Sequence, residues 1–312
     1  MHSSIKPDGR INDEKVWRRE LIYQGMNGSC VERIYVTASE SLVFKPLTNN
    51  EQLGKEIWVN EHILSAFPPI YPRIIAHSSS SNPSLNWILY EDLGELTHVF
   101  EEKTAIGLIS DMAKWHALPI SHLQHAPLRG PKPTAEAVRA ELLQLWQAED
   151  PEQLWPGIPS SLCRHLLAML QKESFAADEL VLSHGDLHLG NYARVNGQIK
   201  VLDWEHAHLN LRYWDLYHVI DLSHPLFPKE MTTDIRERLL DHYLELSAQY
   251  GRRIEPHSFK HGYYLFASLY SLWMLRLIAS DIRANKGIWP LNQLEQQHIE
   301  TSSNLRQIAE FL

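Results

Sequence analysis

The chain has 312 residues, of which 44% are hydrophobic and 21% charged, with a formal net charge of −9. That apolar share supports a real core in one large domain or two lobes, and the acidic balance argues against a nucleic-acid partner, which needs a basic stripe. The two cysteines, Cys30 and Cys163, stand far apart and outside any metal or redox spacing, so no disulfide framework is expected.

The opening stretch MHSSIKPDGRINDEK is polar and lacks the apolar segment of a secretory leader, so a cytoplasmic location is expected. From Leu21 to Asp92, short runs of β type (ERIYVTA, SLVFKPL and NWILYEDL) surround one helical stretch, LGKEIWVNEHILSAF, with apolar Ile57, Ile63, Leu64 and Phe67 near helical spacing. The pattern predicts a small sheet with one helix packed on it, over residues 1–94. Near Glu95 the character changes to helical segments around AIGLISDMAKWHAL, AEAVRAELLQLWQAE and SLCRHLLAMLQKESF, broken by loops at Pro131, Pro133 and Pro156. A mainly helical second part is therefore expected over 95–312. Inside it, NYARV and IKVLD flank the turn VNGQ, whose Asn-Gly pair predicts a hairpin, and helices resume from about Tyr213. The longest uncharged stretch, Gly262 to Leu275, is shorter than the ~20 residues that span a bilayer, which favours a buried helix and no membrane partner.

The chemistry concentrates in LSHGDLHLGNYARVNGQIKVLDWEHA, from Leu182 to Ala207. Two aspartates, Asp186 and Asp203, and an asparagine, Asn191, stand among apolar residues, where a charge is costly unless something pairs with it. A hairpin that brings Asp203 back beside Asp186 gives converging oxygen donors of the kind Mg²⁺ takes together with substrate phosphates. A carboxylate left off the metal can accept the proton of an attacking hydroxyl. His184 and His188 are four apart, but the two glycines of HGDLHLGN deny them the helix a zinc pair requires. His184 is read as bracing the loop.

HGDLHLGN followed by VLDWE resembles the signature of the aminoglycoside phosphotransferase and choline kinase family, small-molecule kinases with a two-lobed, protein-kinase-like α+β fold. The resemblance implies that His184, Asp186 and Asn191 form the catalytic loop, with Asp186 as base and Asn191 and Asp203 as metal ligands. It further implies that Lys45, in LVFKPL, holds nucleotide phosphates and that Glu56 orients it, with Glu61 close enough in sequence to compete. GMNGSC, Gly25 to Cys30, falls where a phosphate-covering loop belongs, with Gly28 and Ser29 offering backbone N–H groups, although it departs from G-x-G-x-x-G. ILYEDLG resembles the hinge, where backbone groups from Glu91 to Leu93 would bond adenine. Asp215 in RYWDLYHV is read as an anchor of the loop and His116 as a core histidine.

The expected activity is transfer of the γ-phosphoryl group of ATP, with GTP as the alternative donor, to a hydroxyl of a small molecule, with Mg²⁺ as cofactor. The acidic charge and the residues Glu205, Asp221, Asp281, Trp214, Tyr217 and Trp273 suggest a cationic acceptor, since carboxylates and ring faces hold amines. A neutral sugar or amino-acid alcohol is the alternative acceptor. A pseudokinase would normally lack one of the five core residues, and a protein kinase would need a longer segment after DWE. Either a monomer or a homodimer fits.

Overall fold

A computed structural model of the chain describes residues 3–25, 28–47, 54–78, 80–82, 85–123, 133–175 and 180–312. Pro131, one of the expected loop markers, lies outside these residues. The elements of the first half are β1 (Arg18–Gln24), β2 (Cys30–Tyr35), β3 (Ser41–Pro46), α1 (Lys55–His62), β4 (Ile74–His77), β5 (Trp87–Glu91), α2 (Glu102–His116), α3 (Ala135–Ala148), α4 (Pro151–Leu154) and α5 (Ser160–Lys172). They continue with β6 (Leu180–Ser183), β7 (Tyr192–Val195), β8 (Gln198–Val201), β9 (His208–Leu211), α6 (Tyr213–Ile220), α7 (Thr233–Gln249), α8 (Pro256–Ala284) and α9 (Leu291–Ala309). The chain divides into two compact units, 1–97 with 192–207, and 98–191 with 208–312. The boundary expected after residue 94 falls three residues later, and the β7–β8 hairpin with Asp203 groups with the first unit.

The first unit is a five-stranded antiparallel sheet in the order β1-β2-β3-β5-β4. Strand β5, between β3 and β4, is buried on both faces and sends its side chains alternately to each. Trp87 and Leu89 join Ile5, Ile11, Ile34 and Phe44 on one face, while Ile88 and Tyr90 join Leu47 and Ile57 of α1 on the other. The same period of two on β3 sends Phe44 to the first face and Val43 to the α1 face, and Lys45, paired with Ile88, shares that α1 face. The hairpin β7–β8 turns at Asn196 and Gly197, both at positive φ (50° and 81°), the conformation that Asn-Gly tolerates best.

The second unit is mainly helical. α2, α6, α7 and α8 close on a core that includes Leu108, Met112, Trp115, Leu216, Leu239, Tyr243 and Phe266. A short antiparallel ladder, β6–β9, carries the chain into and out of the loop that follows Ser183. Among the described residues α8 is the one helix long and apolar enough to cross a membrane, and 56% of its most apolar stretch is buried within the protein. The apolar run seen in the sequence is the middle of this 29-residue helix.

Candidate active site

In the first unit the site is built around Lys45. Strand alternation directs its side chain towards α1, whose first turn carries Glu56, and Lys45 Nζ lies 3.0 Å from Glu56 Oε2. Glu61, five residues on, is turned about 140° around the helix and is exposed, which leaves Glu56 as the partner of Lys45. Asp203, directly after the β7–β8 hairpin, approaches from another side, with Oδ1 2.5 Å from Nζ, and Glu205 Oε2 stands at 3.4 Å. Burial works to lower the lysine's pKa, but Asp203, Glu56 and Glu205 outweigh it and hold the ammonium well above its usual value. Burial also raises the Glu56 carboxyl, against the pull of Lys45.

Asp203 has φ 60° and ψ 62°, a left-handed backbone that is uncommon away from glycine. This conformation starts the short 3-10 turn Trp204–His206, which returns Glu205 to Lys45. Carboxylate oxygens of Glu56, Asp203 and Glu205 lie within 4.8 Å of one another, a hard-oxygen donor set that suits a divalent cation such as Mg²⁺. Glu205 was assigned by sequence to an acceptor; the structure instead turns it to Lys45, and the spacing D-x-E was the signal for it. The cation's charge would neutralise phosphate oxygens beside Lys45.

Two expected backbone contacts are already engaged. Gly28, at φ 79°, donates its N–H to Gly25 O (2.9 Å), and Gly25 N–H donates to Ser29 O (2.8 Å), so this turn must open at Gly28 before that amide meets a phosphate. Met26 and Asn27 of the same loop lie outside the described residues. At the expected hinge, Glu91 N–H donates to Arg73 O (2.9 Å) and is spent in the sheet. Asp92 accepts from Arg33 Nε (2.5 Å), Ser41 Oγ (2.6 Å) and Gly94 N (2.9 Å), which braces the backbone around half-buried Leu93.

In the second unit the loop 184–191 is held from behind by Asp215, fully buried in the first turn of α6. One carboxylate oxygen accepts from Ser183 Oγ (2.7 Å) and Gly185 N (3.3 Å), the other from His184 N (2.8 Å) and His116 Nε2 (3.2 Å). Burial favours the neutral acid, yet these donors win and hold Asp215 below the usual carboxylate range. Burial lowers His116, so it is the neutral ring that donates to Asp215 and accepts from Tyr243 OH at 2.9 Å. Trp214 Nε1 donates to Gly185 O (2.9 Å). Asn191 Nδ2 donates to Asp186 O (2.7 Å), which ties the two loop residues together and leaves Oδ1 as the atom a cation would take. His184 is buried and accepts Asp186 N–H at Nδ1 (3.3 Å), a bracing contact rather than one with a reacting group.

Three of the six residues expected to read an acceptor are core. Trp214 and Tyr217 are buried, and Asp221 is fully buried against Arg236 (2.7 Å) and Tyr263 OH (2.6 Å). An unpaired carboxylate could not be buried so deeply, and pairing removes it from any ligand. Trp273 donates to Glu141 (3.2 Å), and Asp281 is exposed near the end of α8. Beside Asp186 stands His188, its Nε2 3.8 Å from Oδ2, backed by a set of rings that sequence did not connect. His188 stacks on His224 (4.6 Å, 12°) and on Phe227 (5.8 Å, 21°), and Trp289 meets His224 edge-on (5.7 Å, 76°).

Burial, then His188, pushes His224 down to about 4. The unfolded chain, with an ordinary value near ~6.5, therefore binds this proton first as pH falls, so stability is lost between about 6.5 and 4, on the order of 2 kcal/mol of it by pH 5. Urea unfolding at pH 7 and pH 5 should show a larger loss for the parent than for His224→Phe; equal losses would contradict it.

A comparison with curated protein sequences finds no match. Among solved structures, the chain is similar to the GDP and kanamycin complex of APH(2″)-IIia, with 14% identity, coverage of 94% of this chain and 95% of that one, and a TM-score of 0.61. It is also similar to the choline kinase LicA from Streptococcus pneumoniae (16% identity, 94% of each chain, TM-score 0.56). The macrolide 2′-phosphotransferase MphH from Brachybacterium faecium compares at 17% identity, 93% of each chain and a TM-score of 0.55. At these identities the likeness establishes a kinase-like fold, with a small sheet-bearing N-terminal region and a larger helical C-terminal part. The profile of the phosphotransferase enzyme family matches residues 72–256, more than half of the sequence, and the chain belongs to that family.

Proposed function

We propose that the protein is an ATP-dependent, Mg²⁺-requiring kinase of a small cationic alcohol. The observation that carries the reading is the convergence of Glu56 and Asp203 on Lys45, an arrangement suited to gripping nucleotide phosphates, in a chain that also carries the Asp186–Asn191 loop. Lys45 holds phosphates, Glu56 orients it, Asp203 and Asn191 are the magnesium ligands, and Glu205 joins them on the Asp203 side. Asp186 accepts the acceptor's hydroxyl proton, and His184 positions the loop. Gly28, Ser29 and the backbone from Glu91 to Leu93 serve the nucleotide, with GTP the alternative to ATP. When bound, Mg²⁺ neutralises the charge that gathers on the transferring phosphoryl group.

Asp203→Ala should weaken Mg²⁺-ATP binding at least about tenfold, or ~1.4 kcal/mol, by calorimetry. Unchanged affinity would remove Asp203 from the metal role. The acceptor class rests on the net charge of −9 and on structural neighbours named for kanamycin and choline. The cytoplasm is the compartment proposed. A nucleotide-consumption screen across aminoglycosides, choline, ethanolamine and neutral sugars tests it. For the true acceptor, kcat/KM should fall as salt rises, because screening shortens the reach of exposed charge to roughly 8 Å near physiological ionic strength. Turnover of a neutral sugar with no salt dependence would sink the cationic assignment.

A further inference from the structure

Three imidazoles of the second unit are fixed by the same local bond. Asp186 N–H donates to His184 Nδ1 (3.3 Å), Gly190 N–H to His188 Nδ1 (3.0 Å) and Leu226 N–H to His224 Nδ1 (3.1 Å). A ring nitrogen that accepts a hydrogen bond carries no proton, so each neutral ring bears its proton on Nε2. For His188 this matters, because Nε2 faces Asp186 Oδ2 at 3.8 Å. That gap is roughly 0.6 Å outside the N–H···O range, and a small turn of the Asp186 carboxylate closes it.

The ring has little freedom to face elsewhere. It lies against His224 and Phe227, and Phe227 is itself packed on His98 (5.4 Å), whose Nδ1 is 3.1 Å from Leu189 O of the same loop. Residue 190 is glycine at the crowded point, where a Cβ would collide with the Phe227 ring and with His188. Leu226 N–H in turn fixes His224, and Trp289 closes its far side. Packing of this kind, running from Trp289 through His224 to His188, is more than a loop needs if only its backbone must be held, since Asp215 already does that.

We propose that His188 is a positioning residue: its Nε2–H donates to Oδ2 of Asp186, fixing the carboxylate so that the other oxygen, Oδ1, takes the proton of the acceptor hydroxyl. The inference rests on Asp186 being the base. The proton leaves the acceptor oxygen for Oδ1 as that oxygen's electron pair forms the new bond to the γ-phosphorus, while the bond from that phosphorus to the β–γ bridging oxygen breaks and the nucleoside diphosphate leaves with its electron pair; the His188 proton stays on nitrogen throughout. Imidazole at this position also supplies a donor with no fixed positive charge beside an anionic base, which a lysine would not.

Two measurements test this on the full-length protein with Mg²⁺. Long-range ¹H–¹⁵N spectra of the histidines should show His188 as the Nε2–H tautomer, and its Nε2 signals should move in Asp186→Asn. An Nδ1–H tautomer, a doubly protonated ring or no response to Asp186→Asn would overturn the proposal, whether or not any acceptor has been found. With an acceptor from the screen, His188→Phe should lower kcat by roughly 10- to 100-fold, the value of a hydrogen bond to a charged group. KM for Mg²⁺-ATP should stay within about threefold, and His188→Gln, whose side-chain amide can reach the place of Nε2, should recover most of the rate. Equal losses in the Phe and Gln variants, or a loss in nucleotide KM alone, would reduce His188 to a structural part of the loop. Failure of Asp186→Ala to affect transfer would instead remove the base assignment on which the inference stands.

Discussion

Replacing Asp186 by alanine is expected to lower phosphoryl transfer by roughly 10²–10⁴ while leaving Mg²⁺-ATP affinity nearly unchanged. The asymmetry follows from where the residue acts. A base serves the acceptor hydroxyl only as the new bond forms, so its loss subtracts from the transition state and not from the bound nucleotide. The substitution is also structurally mild. Asp186 is partly exposed, and the bonds that shape the loop around it run through its backbone, to Asn191 Nδ2 and to His184 Nδ1. Calorimetry beside turnover decides the matter: near-parental kcat would end the assignment, and a large fall in nucleotide affinity would move Asp186 into the metal site.

Asp215→Ala should act on stability, and strongly. The substitution strips partners from Ser183 Oγ, His184 N and the Nε2–H of His116, all buried, while Gly185 N keeps its shorter bond to Ser183 Oγ (3.0 Å). Each unsatisfied donor costs about 1–3 kcal/mol, and breaking a buried charged cluster typically totals about 3–5 kcal/mol. At ~2–4 °C per kcal/mol for a unit of this size, thermal unfolding should begin roughly 10 °C or more below the parent. Asp215→Asn, which keeps an acceptor oxygen, should lose less. If the alanine variant unfolds within about 1 kcal/mol of the parent, the loop is held by something other than Asp215.

Much of this architecture was legible because its determinants are local. The period of two in SLVFKPL marks a half-buried strand, the unbroken apolar run WILY marks one buried on both faces, and Asn-Gly marks the hairpin. The loop 184–191 in one unit and the hairpin before Asp203 in the other were each readable because so few residues leave the chain little freedom. What escaped depends on contacts between distant segments. Strand β1 is exposed along its whole length, so it has no buried face to print an alternation, and β4 has only four residues. The ladder β6–β9 joins residues almost thirty apart. Carboxylates misled most. Asp221 in the sequence looks like any acid near aromatics, and only the fold reveals Arg236 fifteen positions away as its buried partner. The rings beside Asp186 come from residues 188, 224, 227 and 289, too scattered for any spacing rule.

The left-handed backbone of Asp203 bears on how copies of this gene would change over time. At φ 60° glycine pays no steric penalty and asparagine or aspartate little, whereas most other side chains are disfavoured by about 1 kcal/mol or more. Conformation alone would therefore let this position drift towards glycine or asparagine. What glycine or asparagine could not reproduce there is the carboxylate charge, 2.5 Å from Lys45. On the proposed metal role of Asp203, a chain with glycine at 203 should keep its fold and lose its grip on the magnesium–nucleotide complex.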